Sequence, residues 1–283
     1  MEFVRAKSAG FCMGVSLALH KLDNIIDRKS ISGDIYILGS IIHNPQVVQE
    51  YADKGIISAD SPEEIPSGSI VVIRAHGITK QVQKTLSQRG IHVIDATCPK
   101  VKDACLLIEK NTADDRVLLL FGEEFHPEVK CLLSYAAGKT VVFNSFEKCK
   151  ACDFDPSLKY CLAAQTTQDK HIFDEISRDL LKRKGLNLVV LHTICNATKT
   201  RQDEATTIAD DTDFVIVAGG YNSSNTRRLA QVIEAHGTKA LHIETAADLP
   251  LDELRKFKKI GLTAGASTPK KIVDEIQRTL ESL

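Results

Sequence analysis

The chain has 283 residues, 43% hydrophobic and 26% charged, enough for one large globular domain or two to three small ones and too apolar for intrinsic disorder. Lys plus Arg is 36 against 37 for Asp plus Glu, a formal charge of -1, so no global field draws the protein to nucleic acid or an acidic membrane. The N-terminus lacks the apolar core of a signal peptide and no apolar run approaches the roughly 20 residues that span a bilayer; the sequence reads as cytoplasmic, and its 8 cysteines as thiols, metal ligands or catalytic groups rather than disulfides.

Along the chain, short apolar runs alternate with helical stretches. The opening strand Phe3-Val4-Arg5-Ala6 leads into the turn Gly10-Phe11-Cys12. Further strands are expected at 35–38, 70–73, 92–94, 117–121, 140–143, 162–164, 188–191, 214–218 and 260–263. Helices are expected between them at 45–55, 79–90, 101–111, 169–184, 200–211, 226–237 and 269–283, several of them stopping at glycine. Such alternation points to parallel α/β layers. No Pro- or Ser-rich linker interrupts the chain, so the cysteine turns are the best places to divide it: 1–97 with the N-terminal strand and Cys12, then 98–194, then 195–283. The polar turns of the three parts read as variations on one α/β unit.

Three cysteines share a context. Cys12 follows the first strand, Cys98 closes Asp95-Ala96-Thr97-Cys98-Pro99 after an apolar strand, and Cys195 sits in Thr193-Ile194-Cys195-Asn196 after Leu188-Val189-Val190-Leu191. Open α/β sheets place ligand chemistry at such strand ends. Three thiolates suit either a metal centre with an open coordination position or three merely buried cysteines. His43, His76 and His126 also follow apolar runs, and imidazoles bind phosphate or metal. Ser223-Ser224-Asn225 and Ser267-Thr268-Pro269 have the composition of helix N-caps, the second with proline at the first helical position. Capping alone accounts for both, yet Ala-Gly-Gly and Ala-Gly-Ala precede them, and small residues let an anion approach a helix start. No Walker loop or dinucleotide fingerprint is present. Glu128 is either a general acid or a first-turn helix glutamate. Cys149 and Cys152 form half of a zinc or redox pair without a partner and, with Cys161, read as incidental thiols; Cys105 and Cys131 read as helix-core residues.

In combination, Gly10-Phe11-Cys12-Met13-Gly14-Val15, His43-Asn44, Ala75-His76-Gly77, Asp95-Ala96-Thr97-Cys98-Pro99, His126-Pro127-Glu128-Val129, Gln165-Thr166-Thr167, Thr200-Arg201-Gln202, Asn222-Ser223-Ser224-Asn225 and Thr263-Ala264-Gly265-Ala266-Ser267 resemble the 4-hydroxy-3-methylbut-2-enyl diphosphate reductase family of the non-mevalonate isoprenoid pathway, over essentially the whole chain. The resemblance implies a trefoil of three similar α/β domains, mainly parallel-sheeted, around a 4Fe-4S cluster held by Cys12, Cys98 and Cys195, with the fourth iron open to substrate. It assigns His43, His76, Ser223, Ser224, Asn225 and Ser267 to the diphosphate, His126 to the substrate's neighbourhood, and Glu128 and Thr166 to the hydroxymethyl end. The implied reaction is a reductive dehydroxylation giving isopentenyl and dimethylallyl diphosphates, with a ferredoxin or flavodoxin as electron donor. Ser16-Leu17 and Cys131 depart from the family pattern and bear on local helix packing. A non-catalytic iron-sulfur or zinc protein on the same fold is the alternative reading, and a metal-free phosphate-binding protein a third.

Overall fold

A computed structural model describes residues 2–27 and 33–283. The chain opens with β1 (Glu2–Arg5) and α1 (Met13–Asp27), then runs through β2 (Ile35–Leu38), α2 (Pro45–Asp53), β3 (Ile57–Ala59), β4 (Ile70–Ile73), α3 (Lys80–Gln88) and β5 (His92–Asp95). Next come α4 (Pro99–Thr112), β6 (Val117–Phe121), α5 (Pro127–Leu133), β7 (Thr140–Phe143), α6 (Phe146–Lys150), β8 (Lys159–Ala164), α7 (Lys170–Lys182) and β9 (Asn187–Val190). The last part holds α8 (Asn196–Asp210), β10 (Phe214–Ala218), α9 (Ser224–Ala235), β11 (Lys239–Ile243), α10 (Leu251–Leu254), β12 (Lys259–Ala264) and α11 (Lys270–Glu281).

The described strands form three four-stranded sheets, ordered β3-β2-β4-β5, β7-β6-β8-β9 and β11-β10-β12-β1, with every pairing parallel. The fold class is thus the expected one of three similar α/β units with parallel sheets. All three sheets have one order, second-first-third-fourth, and in the last sheet the fourth place is filled by β1. The N-terminal strand therefore does not belong with the rest of 1–97: Phe3 lies opposite Ile260 and Arg5 opposite Leu262, and Phe3 packs on the core of the last sheet. The repeat is cyclically permuted, its final strand being made first.

The central strands carry the cores. All four residues of β4 and all five of β6 are buried, as expected of parallel strands covered on both faces. Helices cover them with apolar stripes; α11 lays Ile272, Val273, Ile276 and Leu280 against Ile260 and Leu262. The described residues form two compact units, one comprising 2–16, 42–53 and 196–283 with the sheet β11-β10-β12-β1, the other comprising 17–27, 33–41 and 54–195 with the remaining two sheets. No helix among the described residues is long and apolar enough to cross a membrane.

Candidate active site

In a parallel sheet of this strand order, the direction of winding reverses between the first and third strands, and the loops leaving their carboxyl ends flank the crevice where ligands bind. The non-cysteine candidates lie on such loops or, for Glu128, Ser224 and Asn225, in the first turn of the helix that follows. His43, His126 and Ser223 follow β2, β6 and β10, each four residues after the glycine that comes directly after the strand (Gly39, Gly122, Gly219), while His76, Thr166 and Ser267 follow β4, β8 and β12. The cysteines follow the fourth strands, β5, β9 and β1.

One hydrogen bond recurs in all three sheets and fixes each cysteine. The amide of Cys98 donates to Ala75 O at 2.9 Å, that of Cys195 to Thr166 O at 3.0 Å, and that of Cys12 to Ala266 O at 3.0 Å. Each acceptor is the second residue beyond a third strand, so the fourth-strand turn is tied to the third-strand loop in the same way three times. Each cysteine also immediately precedes a helix: α4, α8 and α1 respectively. Val15 N, in the first turn of α1, lies 3.5 Å from Cys12 Sγ as a donor. The Asp95-to-Pro99 turn is built locally: Asp95 Oδ1 accepts from Thr97 N at 2.9 Å, its carboxylate pairs with Lys102, and Pro99 occupies the first helical position.

Sequence reading gave no role to Arg201 or Glu204, yet both secure the turn before Cys12. The buried Arg201 guanidinium donates to Ser8 O at 2.5 Å and Gly10 O at 2.7 Å. Glu204 accepts from Lys7 N at 2.6 Å and Ser8 N at 2.9 Å, and from the Ser8 hydroxyl. Partial burial works against the charge of Glu204, but these donors hold its carboxyl below the usual range.

In the first unit, Ser267 Oγ donates to His43 O at 3.2 Å and lies 3.4 Å from Ser223 Oγ. Ser223, Ser224, Asn225 and Ser267 are all buried. Ser223 caps α9, accepting from Thr226 N at 3.3 Å, and Asn44 Oδ1 accepts from Val47 N at 3.0 Å at the start of α2. Capping does not exhaust these residues, because Asn44 Nδ2 and Asn225 Nδ2 are buried donors with no partner among the described residues. Unmet buried donors are costly unless a ligand completes them. Pro269 stands at the N-cap and not, as expected, at the first helical position; α11 starts at Lys270. This leaves the Ser267 hydroxyl clear of capping duty.

In the second unit, Glu128 is 2% exposed and held at both oxygens by one residue, Thr166, whose N–H donates to Oε1 at 2.6 Å and whose hydroxyl donates to Oε2 at 3.0 Å. Burial pushes its carboxyl up to about 7, against the opposing pull of those two bonds. Glu124 is exposed and Glu123 half-buried, which leaves Glu128 as the buried acid of this turn. His126 caps α5, its Nδ1 accepting from Glu128 N at 3.1 Å, so a neutral ring carries its proton on Nε2. The rings of His76 and His126 meet edge to face with centroids 5.4 Å apart.

The LytB protein family model matches residues 3–281. The chain belongs to the LytB family. Its relatives include proteins named 4-hydroxy-3-methylbut-2-enyl diphosphate reductase from Oleidesulfovibrio alaskensis, 51% identical over 283 residues, and Solidesulfovibrio magneticus, 51% identical over 285 residues, both chains being covered in full in each case. Among solved structures, the E-1-hydroxy-2-methyl-but-2-enyl-4-diphosphate reductase from Plasmodium falciparum has a TM-score of 0.91 at 27% identity, covering 98% of this chain and 87% of that one. A structure of (E)-4-hydroxy-3-methyl-but-2-enyl diphosphate reductase has a TM-score of 0.69 at 35% identity, with full coverage of both.

The donor set of this LytB-family chain fits an iron-sulfur cluster. Cys12, Cys98 and Cys195 are partly exposed, each immediately precedes a helix, and cysteine sulfur is the usual ligand of iron-sulfur clusters. Cys105, Cys131, Cys149 and Cys161 are buried; burial pushes the Cys149 thiol up to about 12 and Cys161 up to about 11, so they stay neutral. Removing the clamp beside Cys12 should matter. Glu204→Ala is expected to lower stability by about 2 kcal/mol, the scale of hydrogen bonds to a charged group, and to speed iron loss to a chelator severalfold. Thermal unfolding and chelator-monitored iron release check both.

Proposed function

We propose that the protein is a 4-hydroxy-3-methylbut-2-enyl diphosphate reductase, removing the substrate's hydroxyl as water and giving isopentenyl and dimethylallyl diphosphates. The observation that carries this reading is Thr166, which orients the buried Glu128 carboxyl through its N–H and hydroxyl while its carbonyl fixes the amide of Cys195. An acid and a candidate iron ligand are thereby positioned by one residue, in a chain half identical over its full length to proteins that bear this name.

Cys12, Cys98 and Cys195 would hold a 4Fe-4S cluster. When bound, that cluster supplies electrons and Lewis acidity. The remaining work falls to the chain. His43, His76, Ser223, Ser224, Asn225 and Ser267 bind the diphosphate, the buried amide of Asn225 gaining the acceptor it otherwise lacks. His126 stands by the substrate with Nε2 as donor. Glu128, with a carboxyl near neutral, carries a proton for the departing oxygen at ordinary pH and delivers it directly or by way of the Thr166 hydroxyl. A ferredoxin or flavodoxin is the proposed source of electrons.

The diphosphate assignment predicts that Ser223→Ala, Asn225→Ala and His43→Ala each weaken substrate binding by about 1 to 3 kcal/mol without loss of iron. Calorimetric titration of the cluster-loaded variants measures this, and unchanged affinity in all three would place the diphosphate elsewhere. The reading as a whole is tested by anaerobic purification with iron, sulfide and zinc analysis. Iron with matching sulfide supports it, whereas colourless protein with stoichiometric zinc supports a non-catalytic metal protein on the same fold.

A further inference from the structure

Two thiols that the proposed reaction does not use lie side by side in the second unit. Cys105 Sγ on α4 and Cys131 Sγ on α5 are 3.8 Å apart, each in a side chain only 3% exposed. Cys131 Sγ donates onward to Ile78 O at 3.2 Å. Both cysteines also line a cavity of about 180 Å³, together with Gly77, Thr97, Lys102 and Tyr135, space enough for a small molecule beside the pair. Cys149 and Cys161, in contrast, are wholly enclosed in the apolar cores around β6 and β8.

We propose that Cys105 and Cys131 form a modification site, a dithiol that a small peroxide entering this cavity converts to a reversible disulfide. With the Cys131 S–H directed at Ile78 O, the Cys105 hydrogen points at the Cys131 sulfur, and that bond, then burial, push the Cys105 thiol up; the first step is assigned to Cys131. Cys131 sulfur attacks one peroxide oxygen; the O–O bond breaks, the sulfur becomes a sulfenic acid, and the other oxygen leaves as water with the thiol proton. Cys105 sulfur then attacks that sulfenic sulfur, forming the S–S bond and releasing a second water. Two thiol hydrogens and two electrons are thus transferred to one peroxide.

Closure requires the sulfurs to move from 3.8 Å to about 2 Å, and the movement bears on the neighbouring turn. Gly77 has φ +75°, and a Cβ there would lie 2.7 Å from Cys131 Sγ; the sulfur fills the space that the glycine leaves open, next to His76. Drawing Cys131 toward Cys105 takes it off Ile78 O and away from that seat. The bond would also join α4, which begins after Cys98, to α5, which begins after His126.

The test uses the cluster-loaded protein, handled anaerobically and treated with a few equivalents of hydrogen peroxide or, separately, with diamide, which accepts two thiol hydrogens. After denaturation in an alkylating agent and proteolysis, mass mapping should find the Cys105 and Cys131 peptides joined and two hydrogens lighter in most molecules, with dithiothreitol separating them and Cys149 and Cys161 alkylated. Full alkylation of Cys105 and Cys131 after both treatments, or separate adducts with no joined peptide, would overturn the proposal. In Cys105→Ser the joined peptide should vanish and a sulfenic-acid trap should label Cys131; Cys131 found unoxidised there would equally contradict it.

Discussion

Glu128→Gln is expected to slow turnover by about 10²-fold or more, the usual scale of a lost general acid, while iron content and substrate affinity stay at wild-type values. Hydroxide is a poor leaving group, so the departing oxygen needs a proton when its bond to carbon breaks. Glutamine has nearly the same shape, and its carbonyl accepts from Thr166 N as Glu128 Oε1 does at 2.6 Å, so the turn survives while the acid is gone. The substitution has a second signature. The Glu128 carboxyl, ordinarily at 4.5 and here pushed up to about 7 by burial, stays protonated in the folded protein after the unfolded chain has lost its proton. Its contribution to stability is fully present below pH 4.5 and is lost as pH rises through about 7, a total of about 3 kcal/mol at 1.36 kcal/mol per pH unit. The difference in unfolding free energy between wild type and Glu128→Gln should therefore change with that sign across that window. Near-normal turnover in the iron-loaded variant, measured with a chemical reductant, would reduce Glu128 to a helix-start residue.

The largest expected effect belongs to the cysteines. Cys98→Ser should abolish turnover and lose most of the bound iron, as should Cys12→Ser and Cys195→Ser, because each of these thiols alone occupies its fourth-strand turn. Cys149→Ser and Cys152→Ser should keep both iron and activity, Cys149 being enclosed in the core and Cys152 donating to Lys148 O at 3.3 Å. Iron retained at wild-type level in Cys98→Ser, or lost in Cys149→Ser, would remove the basis for the assignment.

The central strands are legible in sequence because burial on both faces demands unbroken apolar runs such as Ile70-Val71-Val72-Ile73. The edge strands β3 and β11 are not: Ile57-Ser58-Ala59 is short and half-exposed, and Lys239-Ala240-Leu241-His242-Ile243 mixes charge with apolar residues, as an edge permits. Nor does any local signal show that Phe3 pairs with Ile260, since that choice rests on contacts made across nearly the whole chain. At the site, the cysteines are legible from their strand-end turns. The state of Glu128 is not, because first-turn glutamates are common and only burial, with both oxygens bound by Thr166, sets this one apart. The same holds for Arg201 and Glu204, whose partners lie almost 200 residues away in sequence.

The most direct measurement is single-substrate turnover: anaerobically purified protein, reduced chemically, is given 4-hydroxy-3-methylbut-2-enyl diphosphate and the products are separated. Conversion to isopentenyl and dimethylallyl diphosphates, in proportion to iron content and absent from Cys98→Ser, is the predicted result. Folded, iron-loaded protein that binds the substrate and returns it unchanged would contradict the proposed function.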